Sequence, residues 1–188
     1  MTISAHSDQL RAWNAAIQAI AARAHRGAFL RSLRGDVKLA APIPFYIVSE
    51  DRLKRDRPLL RLRKSGWQCP LIGGEIPALL NLLIRDGEPV FAGITEGWLA
   101  GRLLDAVVFA EPQLLAGHVT IQFRLLEIPV LHLSILWLHG NSGRDRFLVL
   151  SPEQLEMQSD LRKIARTKRD AFARSNRELR SRGVRHSS

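Results

Sequence analysis

Two long runs of β-branched and aliphatic residues, 119–128 and 130–139, constrain the fold of this chain more than any other feature. Such residues favour strands. The turn sequence Gly-Asn-Ser-Gly at 140–143 follows the second run, and residues 147–150 resume the strand pattern. Because proline cannot donate to a β-ladder, Pro129 marks a bulge, a bend or a join between two strands. The region therefore predicts a hairpin within an antiparallel sheet.

Helix and strand patterns precede this hairpin. An amphipathic helix is predicted from Asp8 to about Leu33, because apolar residues recur there at steps of three and four. Its predicted apolar face consists of Leu10, Trp13, Ile17, Ile20 and Ala24.

The middle of the chain mixes the two kinds of pattern. Residues 45–48 and the alternating Leu-Arg-Leu-Arg at 60–63 predict short strands. Residues 76–84 and 96–109 predict helices, the second with Thr95 as its N-cap.

The sequence Ser-Pro-Glu-Gln at 151–154 has the features of a helix start. Serine can cap, proline suits the first helical position, and glutamine can complete a capping box. No helix breaker follows until Gly183. The order of elements predicts an α+β fold, with helices packed on an antiparallel sheet, an N-terminal amphipathic helix and a long basic C-terminal helix. We expect residues 1–150 to form a single globular domain and residues 151–188 to form the basic helix and a tail.

Positive charge is concentrated in two blocks. The net charge of the chain is +10, with +7 in residues 160–188 and +6 in residues 52–64. The rest of the chain is therefore slightly acidic. The second block also fits an edge strand protected by charge.

A helical projection of the C-terminal block separates an apolar stripe from a cationic arc. The arc is either a solvated surface or a contact for an anionic partner, such as nucleic-acid phosphate or an acidic protein. In the second case the predicted anion-binding residues are Arg162, Lys163, Arg166, Arg169, Arg177, Arg180, Arg55 and Arg57.

These features favour a non-enzymatic binding module that contacts nucleic acid or an acidic protein surface. A membrane surface fits less well, because the apolar side of the helix offers a single Phe and two Leu. Stacking of a base on Trp67, beside Lys64, would extend a nucleic-acid contact. An alternative is a subunit of a larger assembly that docks through a helix.

Enzyme motifs with glycine-rich phosphate loops, paired zinc-binding histidines or a serine nucleophile elbow are absent. Neither a metal site nor a cofactor is predicted, and no residue is assigned as catalytic. The best enzymatic alternative is a hydrolase or transferase with Cys69 as nucleophile and His118 or His139 as base. Asp145 or Glu127 would orient the base. Against it, free cysteines are most often buried packing residues.

Sequence features that bear on subcellular location favour the cytoplasm. The chain has one cysteine, so it forms no internal disulfide, and it lacks an apolar run long enough to span a membrane. Its first 30 residues lack a secretory signal pattern. They bear arginine and few acids, which also suits an organellar transit peptide.

Overall fold

The computed structural model describes residues 2–24, 36–55, 59–115, 121–140, 145–151 and 155–171. Helices and a large mixed sheet form an α+β fold in which the sheet dominates. The helices are α1 (Thr2–Ala24), α2 (Glu50–Leu53), α3 (Trp98–Leu115) and α4 (residues 161–171). The strands are β1 (Lys38–Leu39), β2 (Ile43–Ile47), β3 (Gly66–Ile72), β4 (Ala78–Arg85), β5 (Glu88–Glu96), β6 (Ile121–Ile128), β7 (Leu133–Gly140), β8 (Arg146–Leu150) and β9 (Leu155–Gln158).

The nine described strands form one sheet in the order β5-β4-β3-β2-β6-β7-β8-β9, with β1 paired to β3. Every described pair is antiparallel except β2 and β6, which run parallel. Parallel neighbours need a crossover connection. Between β2 and β6 the chain forms β3, β4 and β5 and then α3, which packs against the sheet. The expectation of a wholly antiparallel sheet is therefore wrong at this pair.

Helices cover both faces of the sheet. On one face α3 buries Ala100, Leu103 and Ala106 against β2, β4 and β6–β8. On the opposite face α1 packs over β3 and β4, and α4 packs over β6–β8. Because alternate residues of a strand point to opposite faces, the two halves of the core are separated by the sheet itself.

Helix α1 is confirmed as a helix, but its predicted apolar face is only partly right, because Ile20 packs against the core whereas Leu10 and Ile17 do not. Leu10 and Ile17 are about half exposed, at 52% and 48%, whereas Ala12, Ala16 and Ala19 are buried. The facing strands already carry large side chains such as Trp67, Leu80 and Leu82. Small alanines fit against them, so Leu10 and Ile17 lie on the exposed side of the helix.

Two predicted elements of the middle region are also wrong. Residues 76–84 contain strand β4 instead of a helix. Because β4 is packed on both faces, it reads as a continuous apolar run, which periodicity alone does not distinguish from a helix. The alternating residues 60–63 form a turn, in which Leu62 donates to the carbonyl of Leu59 and Arg61 has a left-handed φ of 54°.

The helix predicted to begin at Ser151 is replaced by strand β9, which pairs with β8. Helix α4 begins after Asp160, whose Oδ1 accepts hydrogen bonds from the backbone N–H groups of Arg162 and Lys163 at 2.8 and 3.3 Å. This is an N-cap by a preferred residue. The remainder of the predicted basic helix, residues 172–188, lies outside the described residues.

Other predictions are confirmed. Strands β6, β7 and β8 form the expected antiparallel series, and Pro129 begins the short 3₁₀ turn (Pro129–Leu131) that joins β6 to β7. Strand β2 and helix α3 lie close to their predicted positions. Among the helices in the described part of the chain, none is long and apolar enough to cross a membrane.

Candidate functional site

The basic residues of α4 lie on a helix that is docked on the sheet. Its apolar side chains Leu161, Ile164 and Ala165 are at most 5% exposed and belong to the core cluster of β6–β8. Lys163 and Arg166 are exposed. Docking therefore fixes where the helix presents its cations.

Contacts between α4 and the segment after β2 bring the two basic blocks together. Arg162 Nη2 donates to the backbone carbonyl of Arg55, and Arg169 pairs with Glu50 of α2 at 3.6 Å. Arg166 lies one turn from each of these arginines, so it faces the same side of the helix. The basic block at 52–64 therefore contacts α4 through Arg55.

Beyond α2 the cations continue into a groove of about 290 Å³, here called the basic groove. Arg52, Arg63 and Lys64 line it together with Ser65. The Ser65 hydroxyl oxygen accepts a hydrogen bond from the Ile47 N–H at 3.2 Å, so its own proton is available for donation. The groove thus combines the guanidinium groups of Arg52 and Arg63, and the ammonium of Lys64 that is paired with Asp8, with a hydroxyl donor, a suitable set for an anion.

We call these cations together the basic surface. It comprises Arg52, Arg55, Arg63, Lys64, Arg162, Lys163, Arg166 and Arg169. Of the predicted anion-binding residues, Arg55, Arg162, Lys163, Arg166 and Arg169 belong to it. The other three, Arg57, Arg177 and Arg180, lie outside the described residues.

A second groove, of about 310 Å³, lies on the face of the sheet that carries α3. We call it the α3-side groove. Its walls are mainly apolar and include Leu83 and Leu99, and its polar groups come from four strands. These polar residues are Gln68, Asn81, Thr95 and Glu127.

The polar residues of this groove form two hydrogen-bonded pairs. Gln68 Nε2 donates to Glu127 Oε1 at 3.1 Å, and Asn81 Nδ2 donates to Thr95 Oγ1 at 2.8 Å. Gln68 is only 6% exposed, and its Oε1 accepts no hydrogen bond from the residues that the structure describes. Burial raises the pKa of Glu127, partly offset by the hydrogen bond from Gln68. A hydrogen-bond donor that enters the groove would stabilise the ionised form of this half-buried carboxylate.

Within the described residues, the proposed nucleophile Cys69 is not brought together with a histidine base. Its side chain is fully buried beneath α1. His139 lies on β7, which β2 and β6 separate from β3, a distance of about 14 Å across the sheet. Glu127 faces the opposite side of the sheet from Cys69, and His118 lies outside the described residues. His139 does pair with Asp145, through Nδ1 at 2.8 Å, and packs edge-on against Trp137.

We expect the Cys69 thiol to alkylate at least about 100-fold more slowly than a free cysteine at about pH 8. Burial raises its pKa to about 12, so very little thiolate is present, and α1 blocks access. Iodoacetamide labelling followed by mass spectrometry measures the rate. The same chain in concentrated guanidinium is the control and should label at the ordinary rate. Fast labelling of the folded protein would restore the enzymatic alternative.

Trp67 does not serve as an exposed stacking platform, because it is 5% exposed. The ammonium group of Lys64 lies 4.2 Å from the centre of its ring and also pairs with Asp8 at 2.8 Å. This contact joins the start of β3 to α1.

Sequence reasoning missed the α3-side groove. It named Glu127 only as a partner for a histidine and Thr95 only as a helix N-cap, whereas Thr95 lies within β5, and it assigned no role to Gln68 or Asn81. An amide or carboxylate inside an otherwise apolar strand is the signal that could have identified them. Within the described residues, no group of three or more His, Cys, Asp or Glu side chains is arranged to hold a metal ion.

Comparison of the chain with protein-family models, with curated proteins and with solved structures finds no match. Its function is therefore argued from the two grooves and the basic surface.

Proposed function

We propose that the protein is a non-enzymatic binding module that holds nucleic acid through contacts between its basic surface and backbone phosphates. The observation that supports this most is the docking of α4. Its apolar side is buried, and its cations adjoin those that follow β2 and those of the basic groove. Arginine and lysine on rigid elements can pair with phosphates while condensed counterions are released.

Nucleic acid suits this surface better than an acidic protein does. Stable protein interfaces usually bury an apolar centre. In the described part of this region, the large apolar side chains that are substantially exposed are Ile47 and Leu60. The cations instead extend from α4 past α2 to the end of β2, as a chain of phosphates requires. An acidic protein remains the alternative outcome of the test.

Replacement of Lys163 and Arg166 by glutamine should weaken binding of a single-stranded oligonucleotide by about 25-fold at about 0.1 M salt. Each phosphate contact to a single strand contributes about 0.7 to the slope of log K against log salt, so the slope should fall by about 1.4. Both side chains are exposed on α4, so the fold should persist. Fluorescence anisotropy over a salt series measures both quantities.

The matched control replaces Lys38 and Arg102 by glutamine. This variant also loses two positive charges, but Lys38 lies on β1 and Arg102 on α3, away from the basic surface. Its salt slope should equal that of the unmodified protein. Equal weakening in both variants would mean that only net charge matters. Binding of polyglutamate but not of oligonucleotides would favour the acidic-protein partner.

A further inference from the structure

The basic groove and the α3-side groove are adjacent, because both are lined by Ile47. Ile47 is the last residue of β2, and its side chain is 47% exposed between the two grooves. One groove offers cations and a hydroxyl donor, and the other offers apolar walls and hydrogen-bonding groups. A nucleotide has two corresponding parts, an anionic phosphate and a flat base.

The α3-side groove matches a base in size and surface. Its volume of about 310 Å³ is at the lower end of the range of small-molecule sites, about 300–1,000 Å³. A single base fits such a volume better than a longer segment of strand. Leu83, Leu99 and Ala92 provide apolar walls, and unstacked bases are held between apolar side chains in proteins that extrude them.

The hydrogen-bonding groups of the groove select among the bases. Glu127 presents a carboxylate with one oxygen engaged by Gln68, and Asn81 uses its amide N–H in the bond to Thr95. The groove therefore offers the Glu127 carboxylate and the Asn81 amide oxygen as acceptors, and the Thr95 hydroxyl as a donor. Guanine is the base whose Watson–Crick edge places two N–H donors side by side, on N1 and on the 2-amino group. Adenine, cytosine and uracil each place an acceptor beside a donor on that edge.

We infer that the α3-side groove receives one unstacked guanine of a bound single strand, with its N1–H and 2-amino groups donating to Glu127. The phosphate of the same nucleotide would lie in the basic groove against Arg52, Arg63 and the Ser65 hydroxyl. This inference rests on the proposed function, since the strand is first held by the basic surface. It adds a base preference to a surface that otherwise contacts phosphates without regard to sequence.

The test compares short oligouridylates that differ only in the central nucleotide, which is guanosine, inosine, adenosine or uridine. The guanosine oligomer should bind about 10-fold more tightly than the uridine oligomer. Inosine lacks the 2-amino group and should lose most of that advantage. The same series in DNA, with thymidine in place of uridine, tests whether the sugar matters. Fluorescence anisotropy at one fixed salt concentration measures all of these affinities.

Two variants localise the effect. Glu127→Gln should reduce the preference for guanosine to within about two-fold. The introduced amide N–H group would face the N–H donors of guanine and cannot accept hydrogen bonds from them. Ala92→Leu should do the same by narrowing the groove, and position 92 is exposed, so the fold should persist. Glu88→Gln is the matched control, because it removes the same charge from an exposed carboxylate at the start of β5. It should keep the full preference.

The outcomes separate the two proposals. Steep salt-dependent binding without a guanosine preference would overturn the base site and leave the proposed function intact. A guanosine preference that survives both Glu127→Gln and Ala92→Leu would also overturn the site, because the base would then bind elsewhere. Failure of every oligonucleotide to bind at low salt would overturn the proposed function itself.

Discussion

Gly66→Ala is expected to lower the free energy of unfolding by about 3 kcal/mol or more. An added Cβ would overlap the backbone carbonyl oxygen of Leu82 and would lie 2.5 Å from the Phe45 ring. These atoms belong to β4 and β2, which pair with β3 on its two sides, so the strands must separate to admit a methyl group. Denaturant unfolding followed by circular dichroism measures the change.

Gly101→Ala is the control for this variant. Gly101 lies inside α3, and an added Cβ would meet Pro77 at an ordinary contact distance of 3.7 Å. Alanine in a helix is more favourable than glycine by about 0.5–1 kcal/mol, so this variant should be slightly stabilised. Similar, small effects of the two substitutions would contradict the close packing of β3 against its neighbours.

Local patterns predicted the elements whose structure depends mainly on their own residues. Strands β6, β7 and β8 were identified because runs of aliphatic and β-branched residues are separated by Pro129 and by turn residues. The apolar stripe of the C-terminal block was likewise identified by helical projection, and its residues Leu161, Ile164 and Ala165 are buried in α4. In each case the local preference agrees with the position of the element in the fold.

Tertiary context decided the elements that were predicted wrongly. Residues 76–84 contain four leucines, which favour helices, but β4 lies inside the sheet between β3 and β5. Residues 151–154 resemble a helix start, but residues 155–158 form β9 on the available edge of β8. A local pattern does not contain this information, because the deciding partners are other strands.

The grooves could not be predicted for the same reason. Gln68 and Glu127 are separated by 59 residues, and they meet because β2, which lies between their strands, is paired to both. The parallel pair of β2 and β6 has no signature in either strand. The basic surface was easier to anticipate, because both of its blocks stand out in the sequence. Their contact through Arg162 and Arg55 required the fold.

Ile164→Ala should lower the free energy of unfolding by about 2–4 kcal/mol, because Ile164 is 5% exposed in the core under α4. Lys163→Ala, at the neighbouring exposed position, should change it by no more than about 0.5 kcal/mol. Denaturant unfolding of the two variants tests whether α4 is part of the folded domain. Equal effects near zero would mean that the helix is not docked.

The effects of these two substitutions on oligonucleotide affinity should be in the opposite order to their effects on stability. The affinities must be measured under conditions in which both variants remain folded. Lys163→Ala removes one phosphate contact and should weaken oligonucleotide binding by about five-fold at about 0.1 M salt. Ile164→Ala should leave the affinity nearly unchanged, since the cations of α4 remain in place. Two adjacent residues would then separate the two roles of the helix, because one side holds it on the sheet and the other meets the partner. If Ile164→Ala alone abolished binding without unfolding the domain, the position of α4 on the sheet, more than the number of its cations, would determine affinity.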